Sequence, residues 1–403
     1  MSNERFMEKL LDGVAVEWKA LGEVVHMRAG QYISASNIME EASNDYPYPC
    51  FGGNGIRGFV AKNSHDGRHL LIGRQGALCG NVQRTCGKFY ATEHAVVVTP
   101  SDCINVDWAF HLLMLMNLNQ YASQSAQPGL AVGKIESLKI PIPCPDNPKK
   151  SLEIQAEIVR ILDAFTELTA ELTAELTARK KQYNYYCDQL LNFEEGAVDW
   201  KALGEIGDFT YGYAAKAQDS GDVRFVRITD INSDGKLIET DSKYVDLSEE
   251  NEKYILKRND LLMARTGATY GKTMIFEEDY PAIYAGFLIK LSLDETIINP
   301  KFYWHFAQSS FFWNQANKLV SGGGQPQFNA NALKEVRMPI PYLDDTEKSL
   351  AEQARIVAIL DKFDALTNSL SEGLPREIEL RQKQYEYYRE LLFRFPKPEE
   401  VAD

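Results

Sequence analysis

Residues 151–165, SLEIQAEIVRILDAF, return 198 positions later as SLAEQARIVAILDKF at residues 349–363. The segment before them repeats at the same offset, since LKIPIP from Leu138 returns as VRMPIP from Val336. At an offset of 182, VEWKALGEV from Val16 returns as VDWKALGEI from Val198. The chain is therefore an internal duplication, and its second copy has gained 16 residues in the variable part.

Each copy ends in a long segment with the spacing of an amphipathic helix. Apolar side chains recur every three or four residues, which places them on one face. They are Ile158, Leu162, Phe165, Leu168, Leu172 and Leu176 in the first copy, and Ile356, Leu360, Phe363, Leu366 and Leu370 in the second. We expect the two helices to pack against each other, and Gly373 and Pro375 to break or kink the second.

The start of the chain resembles the end of the first long helix, because KLLDGVAVEWKALGEV matches QLLNFEEGAVDWKALGEI. The repeat is therefore circular, and the C-terminal helix is predicted to lie next to the N-terminal segment. The predicted fold class is α+β, with two globular domains separated by two long antiparallel helices in a coiled coil, related by a pseudo-twofold circular repeat. The predicted divisions are 1–150 and 196–347 for the globular bodies, 151–195 for the first helix, and 348–403 for the second helix and tail.

Both bodies combine short strands with a buried helix. HAVVVTP and AGFLIKLSL have the β-branched and aromatic composition of strands. VDWAFHLLMLMNLNQYA and PKFYWHFAQSSFFWNQAN each predict one helix per body. We expect each body to form a twisted sheet or partial barrel.

Two glycine-rich stretches resemble nucleotide-binding loops. RTGATYGKT from Arg265 has only three residues between Gly267 and Gly271, where a phosphate loop needs four. Its counterpart in the first copy, GRQGALCGNV from Gly73, keeps the arginine and both glycines but lacks the Lys-Thr pair. GNGIRG from Gly53 fits a dinucleotide motif but precedes no predicted helix. Tight turns between strands explain both stretches better than nucleotide sites do.

Composition places the chain among soluble globular proteins. The six cysteines form no Cys-x-x-Cys pair and have no histidine at metal-ligand spacing, so we expect free thiols and no metal site. The six histidines are expected to be structural or on the surface. The polar start and the lack of a long apolar run predict a cytoplasmic protein with no membrane contact. The net charge of −14 is uneven, since residues 1–150 hold 14 basic and 14 acidic side chains while 196–347 hold 16 and 23.

The tandem pattern resembles the DNA-specificity subunit of type I restriction–modification enzymes. The resemblance rests on two variable bodies, each followed by an exit of the form IPIP…EQ..IV.ILD.F and a long helix. The matching residues are Pro141-Ile142-Pro143 with Gln155, and Pro339-Ile340-Pro341 with Glu352-Gln353. Ile154 departs from the usual glutamate. The TAEL repeats at 169–176 are similar to those of the type IC branch.

The resemblance implies a non-catalytic subunit that reads double-stranded DNA. Each body would read one half of an asymmetric bipartite site with an unread spacer. The helices would act as a ruler and as a docking surface for two modification methyltransferase subunits, to which restriction-translocase subunits add. No cofactor is expected on this chain, because S-adenosylmethionine belongs to the methyltransferase subunits, and ATP and Mg²⁺ to the restriction subunits. No methyltransferase motif for holding a target adenine occurs in the sequence.

Candidate DNA contacts are the Arg, Lys and Gln side chains in glycine-rich loops, because these residue types pair with guanine, phosphate and adenine. They are Arg57, Lys62, Arg74 and Gln127 in the first body, and Arg227, Arg265, Lys272, Gln325 and Gln327 in the second. Arg74 and Arg265 occupy equivalent positions, which favours a structural or phosphate-binding role. Arg57, Gln325 and Gln327 were assigned no equivalents and so remain candidates for reading bases.

A different class of function stays open from the residues alone. The acidic second body is compatible with a coiled-coil adaptor that binds protein partners without DNA recognition. A DNA reader loses affinity steeply as salt rises, whereas an adaptor is not retained on DNA.

Overall fold

A computed structural model describes residues 13–76, 78–124, 128–194, 198–232, 234–238, 240–369 and 373–396. The chain forms two compact units, Met1–Glu171 with Glu379–Asp403, and Leu172–Ile378. Each long helical segment is thus divided between the units.

The first unit encloses its body with an antiparallel strand pair made by the two repeated flanking segments. The pair joins β1 (Val16–Ala20) to β9 (Lys139–Pro143), with Trp18 opposite Pro141. The other α-helices and strands of this unit are α1 (Leu21–Val24), β2 (Val25–Ala29), β3 (Tyr48–Gly52), β4 (Gly55–Val60), β5 (His69–Gly73), β6 (Val82–Thr85), β7 (Tyr90–Ala91), β8 (Ala95–Pro100), α2 (Val106–Leu115), α3 (Val132–Glu136) and the first part of α4 (Pro148–Leu191). A four-stranded antiparallel sheet has the order β2-β8-β5-β6, and a three-stranded sheet has the order β4-β3-β7 with β3 and β7 parallel.

The second unit repeats this topology. β10 (Val198–Ala202) pairs with β18 (Arg337–Pro341). The other α-helices and strands are β11 (Gly207–Tyr211), β12 (Val223–Val226), β13 (Tyr244–Val245), β14 (Leu261–Ala264), β15 (Thr273–Ile275), β16 (Ala282–Tyr284), β17 (Leu288–Leu293), α5 (Pro300–Phe306), α6 (Ser310–Leu319), α7 (Ala330–Glu335), α8 (Thr346–Asn368) and α9 (Gly373–Leu392), the last of which continues into the first unit. A four-stranded sheet has the order β11-β17-β14-β15, and a three-stranded sheet has the order β13-β12-β16.

The second body departs from the prediction of one helix. PKFYWHFAQSSFFWNQAN forms two helices, because Ser309 caps α6 by accepting a hydrogen bond from the Phe312 amide. The predicted break in the second long segment is confirmed, since α8 ends at Asn368 and α9 begins at Gly373, whose φ is +77°.

The first and last described segments of the chain meet in the first unit, as the circular repeat predicts. Trp18 Nε1 donates a hydrogen bond to the Pro396 carbonyl at 2.8 Å. Leu392, Phe393 and Phe395 are buried in the same core as Leu21 and Ile142. The C-terminal end of α9 therefore completes the core that the N-terminal segment begins.

Candidate nucleic-acid interface

The two glycine-rich turns noted in the sequence have the same backbone structure. In the first unit the turn joins β5 to β6, and Gly80 N donates to Gly73 O at 2.7 Å. In the second it joins β14 to β15, and Gly271 N donates to Ala264 O at 2.8 Å. The amides at the end of RTGATYGKT are already paired within the turn, since Lys272 N also donates to Thr269 O at 3.2 Å. These amides do not wrap a phosphate chain.

A second loop is attached to each turn by equivalent hydrogen bonds. Gly76 N donates to Pro128 O at 3.0 Å, and Gly267 N donates to Pro326 O at 3.0 Å. Both glycines have positive φ, +88° and +69°, which other residues rarely adopt. We call each turn with its attached loop a loop frame: residues 73–80 with 128–130 in the first unit, and 264–271 with 326–328 in the second.

The loop frames give Gln325 a counterpart in the first unit. Because Pro128 and Pro326 make the same bond, the preceding residues Gln127 and Gln325 are equivalent, and the view that Gln325 has no counterpart is wrong. Gln127 lies outside the described residues. Gln325 is exposed, whereas Gln327 is half-buried and its peptide group is paired with that of Ser321.

Two of the candidate arginines are held by their own unit. Arg227 forms a two-pronged ion pair with the buried carboxylate of Asp230, at 3.1 and 2.6 Å, which raises its pKa. Arg265 donates from Nε to the Gly286 carbonyl at 3.1 Å and lies over the Tyr211 ring. Both guanidinium groups hold loops together, a structural role that equivalence with Arg74 favours for Arg265 and that residue type alone does not indicate for Arg227.

The remaining cationic candidates differ in exposure. Arg74 is half-buried in its loop frame, and Lys62 is exposed beyond β4. Lys272 lines a cavity of about 340 Å³ with Gln308 and Trp313. Arg57 is exposed on β4 and makes no ion pair with any described residue.

Arg57 faces a wider concavity of about 570 Å³ at the first loop frame. Its walls are the β3–β4 turn, the β5–β6 turn and His94. GNGIRG thus forms the turn and first residues of a β-hairpin, which excludes the dinucleotide motif because no helix follows. Gln75 and His94 line the same space, and the sequence analysis named neither as a DNA contact.

A buried Tyr–His–Asp network joins the first body to its helices. His111 on α2 is fully buried, with Nε2 2.9 Å from Asp163 Oδ1 on α4 and Nδ1 2.9 Å from the Tyr385 hydroxyl on α9. Burial lowers the pKa of His111 to about 4, and Arg84 opposes a second proton. Burial raises the pKa of Tyr385, so its hydroxyl stays protonated beside Nδ1. Arg84 Nη2 lies 2.9 Å from Nε2 and 2.7 Å from Asp163 Oδ1, so the guanidinium and the carboxylate both contact this side of the imidazole.

The second unit contains the same network. His305 on α5 lies 2.9 Å from Asp361 on α8 and 2.9 Å from the Tyr183 hydroxyl on α4. The aspartates belong to the repeated ILD.F motif and the tyrosines to KQY.YY. The expectation that the histidines are structural or on the surface is confirmed for this pair, although the sequence did not reveal their partners.

The family glutamines have an equivalent structural role. The Gln155 side chain accepts from Asn105 N at 2.8 Å and donates to Cys103 O at 3.0 Å, next to the start of α2. Gln353 makes the corresponding bonds to Asn299 N and Ile297 O, both at 2.9 Å. Both amides are fully buried, so they fix the body to the helix that follows it.

The helix faces are only partly available for docking. Four of the side chains predicted to serve helix–helix and subunit docking are fully buried in the cores of their own units and so are not accessible to another subunit; they are Ile158, Leu162, Ile356 and Leu360. The period shows that a face is covered but not by what. Phe165 stacks on Tyr388 and Phe363 on Tyr186, while Leu168 and Leu366 are exposed. Leu172 and Leu176 are half-buried, and Leu370 lies outside the described residues.

The cysteine, histidine and acidic side chains of the described ranges form neither a disulfide nor a metal site. The six cysteines are free thiols, as predicted. No group of three His, Cys, Asp or Glu side chains in these ranges could hold a metal ion. No helix of the described chain is long and apolar enough to cross a membrane.

The family described as "Type I restriction modification DNA specificity domain" matches the chain twice, over residues 14–179 and 197–380. The chain belongs to this family. It is 37% identical to the EcoR124I/EcoR124II type I restriction enzyme specificity subunit of Escherichia coli, over 100% of both chains. It is 35% identical to the putative type I restriction enzyme specificity subunit S.HindORF215P of Haemophilus influenzae, over 98% of this chain and 99% of that protein. A shorter match, to the EcoprrI specificity subunit of Escherichia coli, is 63% identical over 39% of this chain and 38% of that protein.

Solved structures show the same fold. The type I restriction–modification S subunit from M. genitalium matches with a TM-score of 0.60 at 15% identity, over 96% of this chain and 98% of that chain. The chain is thus a DNA-specificity subunit, a non-catalytic component of a multi-subunit restriction–modification enzyme. The comparisons support DNA recognition and give no support to the adaptor alternative.

Proposed function

We propose that each unit reads one half of an asymmetric bipartite DNA site whose two halves are separated by an unread spacer. The chain thereby directs adenine methylation or restriction by partner subunits. The observation that carries this proposal is the pair of loop frames. Their backbone bonds are equivalent, but the side chains that they present differ: Gln75, His94 and Gly129 in the first correspond to Thr266, Phe287 and Gln327 in the second. One framework with two sets of side chains suits the reading of two different half-sites.

The partners in this proposal are two methyltransferase subunits, joined by restriction-translocase subunits in the cytoplasm. Each unit exposes one copy of the same helical tyrosine pair, Tyr387 and Tyr388 in the first and Tyr185 and Tyr186 in the second. Two equivalent aromatic surfaces suit two copies of one partner. S-adenosylmethionine, ATP and Mg²⁺ would be bound by these partners rather than by this chain.

A body exchange tests the proposal. The subunit is combined with its methyltransferase partner, and residues 25–137 are replaced by the corresponding body of another family member. Mapping of methylated adenines should show one changed half-site, with the other half-site unchanged. A change in both half-sites would contradict independent reading by the two units.

The salt dependence of binding gives a second measurement. Affinity of the assembled enzyme for its site should fall steeply with salt, because neutralised phosphates release counterions. Binding that is insensitive to salt would argue against the proposed DNA contacts.

A further inference from the structure

The concavity beside the first loop frame has the composition of a base-reading surface. It brings an arginine, a glutamine and a histidine together with two exposed apolar side chains, Ile56 and Leu78, which are 58% and 53% exposed. In the major groove, arginine pairs with guanine, glutamine pairs with adenine, and apolar groups contact the thymine methyl. The concavity therefore offers partners for the major-groove edges of guanine, adenine and thymine.

The backbone beneath this surface is packed closely enough to hold it rigid. A Cβ atom built on Gly53 would lie 3.2 Å from the carbonyl oxygens of both Gln75 and His94. One built on Gly73 would lie 2.1 Å from the Gly53 carbonyl oxygen. The two turns thus meet backbone to backbone, and at Gly73 the approach leaves no room for a Cβ atom.

The Gln75 carboxamide is oriented by its neighbour. His94 Nδ1 lies 2.8 Å from Gln75 Oε1, so the imidazole N–H donates to one lone pair of the amide oxygen. The second lone pair and the amide NH₂ remain for a ligand. An acceptor and a donor side by side match the N6 amino group and N7 of adenine.

The second unit shows that these positions vary on a constant framework. Arg74 N donates to the His94 carbonyl at 2.8 Å, and Arg265 N donates to the Phe287 carbonyl at 3.1 Å. The Gln75–Gly129 backbone bridge likewise corresponds to the Thr266–Gln327 bridge. Half-sites of different sequence require such a difference at equivalent positions.

We propose that Gln75 reads an adenine in the half-site of the first unit, that His94 is the positioning residue for its amide, and that Arg57 reads a guanine from the same concavity. The inference rests on the proposed function, which assigns one half-site to each unit.

The test maps methylated sites for the subunit combined with its methyltransferase partner. In Gln75→Ala, preference at a single A·T pair of one half-site should relax by roughly tenfold or more, while the other half-site and the spacer stay unchanged. Gln75→Glu, which has nearly the same shape, should also lose the adenine preference because its carboxylate cannot donate to N7. His94→Ala should relax the same pair to a smaller extent, and His94→Gln, which keeps a donor, should restore part of the preference.

Two controls separate base reading from other roles. Thr266→Ala, at the matched position of the second loop frame, should leave the first unit's half-site unchanged. The salt slope of binding should be unchanged in Gln75→Ala, and Arg57→Ala should relax a G·C pair. Uniform weakening of all sequences by Arg57→Ala, with a slope smaller by about one, would overturn its base-reading role in favour of a phosphate contact.

The outcomes distinguish the two proposals. If the wild-type enzyme methylates a bipartite site and Gln75→Ala leaves every base preference unchanged, the inference fails while the proposed function stands. Relaxation at a G·C pair by Gln75→Ala overturns the assignment to adenine. If the wild-type enzyme reads no bipartite site, both proposals fail.

Discussion

Acidification should destabilise the first unit through His111. Burial, with a contribution from Arg84, lowers the pKa of this imidazole from 6.5 to about 4. Because the folded pKa lies below the unfolded one, the unfolded chain binds the proton more readily between these values. The free energy of unfolding therefore falls as pH drops from about 6.5 to about 4, and this contribution is constant below that range. The pKa difference corresponds to roughly 3 kcal/mol in full, of which about 2 kcal/mol is lost between pH 7 and pH 5.

The measurement combines chemical unfolding at pH 7 and pH 5 with an NMR titration of the His111 imidazole. His111→Gln should be less stable at pH 7 but should lose about 2 kcal/mol less on acidification than the wild type. Tyr385→Phe is the matched control, since it removes the hydroxyl beside Nδ1 and keeps the ring. It should cost about 1 kcal/mol and retain the acid sensitivity, because burial is the main cause of the lowered pKa. An imidazole that titrates near 6.5, or equal acid sensitivity in the wild type and His111→Gln, would refute this reasoning.

Three further predictions concern the repeat. Gln155→Ala and Gln353→Ala should each reduce the free energy of unfolding by about 2 kcal/mol, because buried partners lose their hydrogen bonds. The control Glu352→Ala breaks only a surface ion pair and should cost under about 1 kcal/mol. Equal losses in all three variants would contradict the role of the glutamines. A permutant with the natural ends joined and the chain opened between Glu194 and Ala197 should keep its methylation specificity, because Trp18 and Pro396 are already in contact. A permutant that fails to fold while the parent folds would count against the circular repeat. Inserting Thr-Ala-Glu-Leu after Leu176 adds about 6 Å and roughly 40° of rotation to α4, and this rotation is close to the roughly 34° twist of one base pair. Methylation mapping should therefore show a spacer that is one base pair longer, with both half-sites unchanged. An unchanged spacer would exclude a ruler role for α4.

The sequence predicted features that repeat or have a period. The duplication predicted equivalent units, and the similarity between the two ends of the chain predicted the contact that Trp18 and Pro396 make. The shared glycines predicted equivalent turns, because a backbone position with positive φ favours glycine over other residue types.

Features that depend on contacts between distant residues were not predictable. His111 and Tyr385 are 274 positions apart, and neither belongs to a local motif that names the other. The helical period identified Ile158 and Leu162 as apolar-face residues but could not say that the body's own core covers them. For Arg227, residue type suggested a DNA contact, whereas Asp230 three residues later is a sequence signal for the ion pair that the structure shows.

The burial of Leu392, Phe393 and Phe395 in the first unit also determines when that unit can finish folding during synthesis. The second unit is one continuous stretch, Leu172–Ile378, and can fold as soon as it leaves the ribosome. The first unit needs these three side chains in its core, so it stays incomplete until residues 392–395 are made. The half that is translated first is therefore the half that matures last. During that interval its unfinished core is the part of the nascent chain most exposed to aggregation and to chaperones.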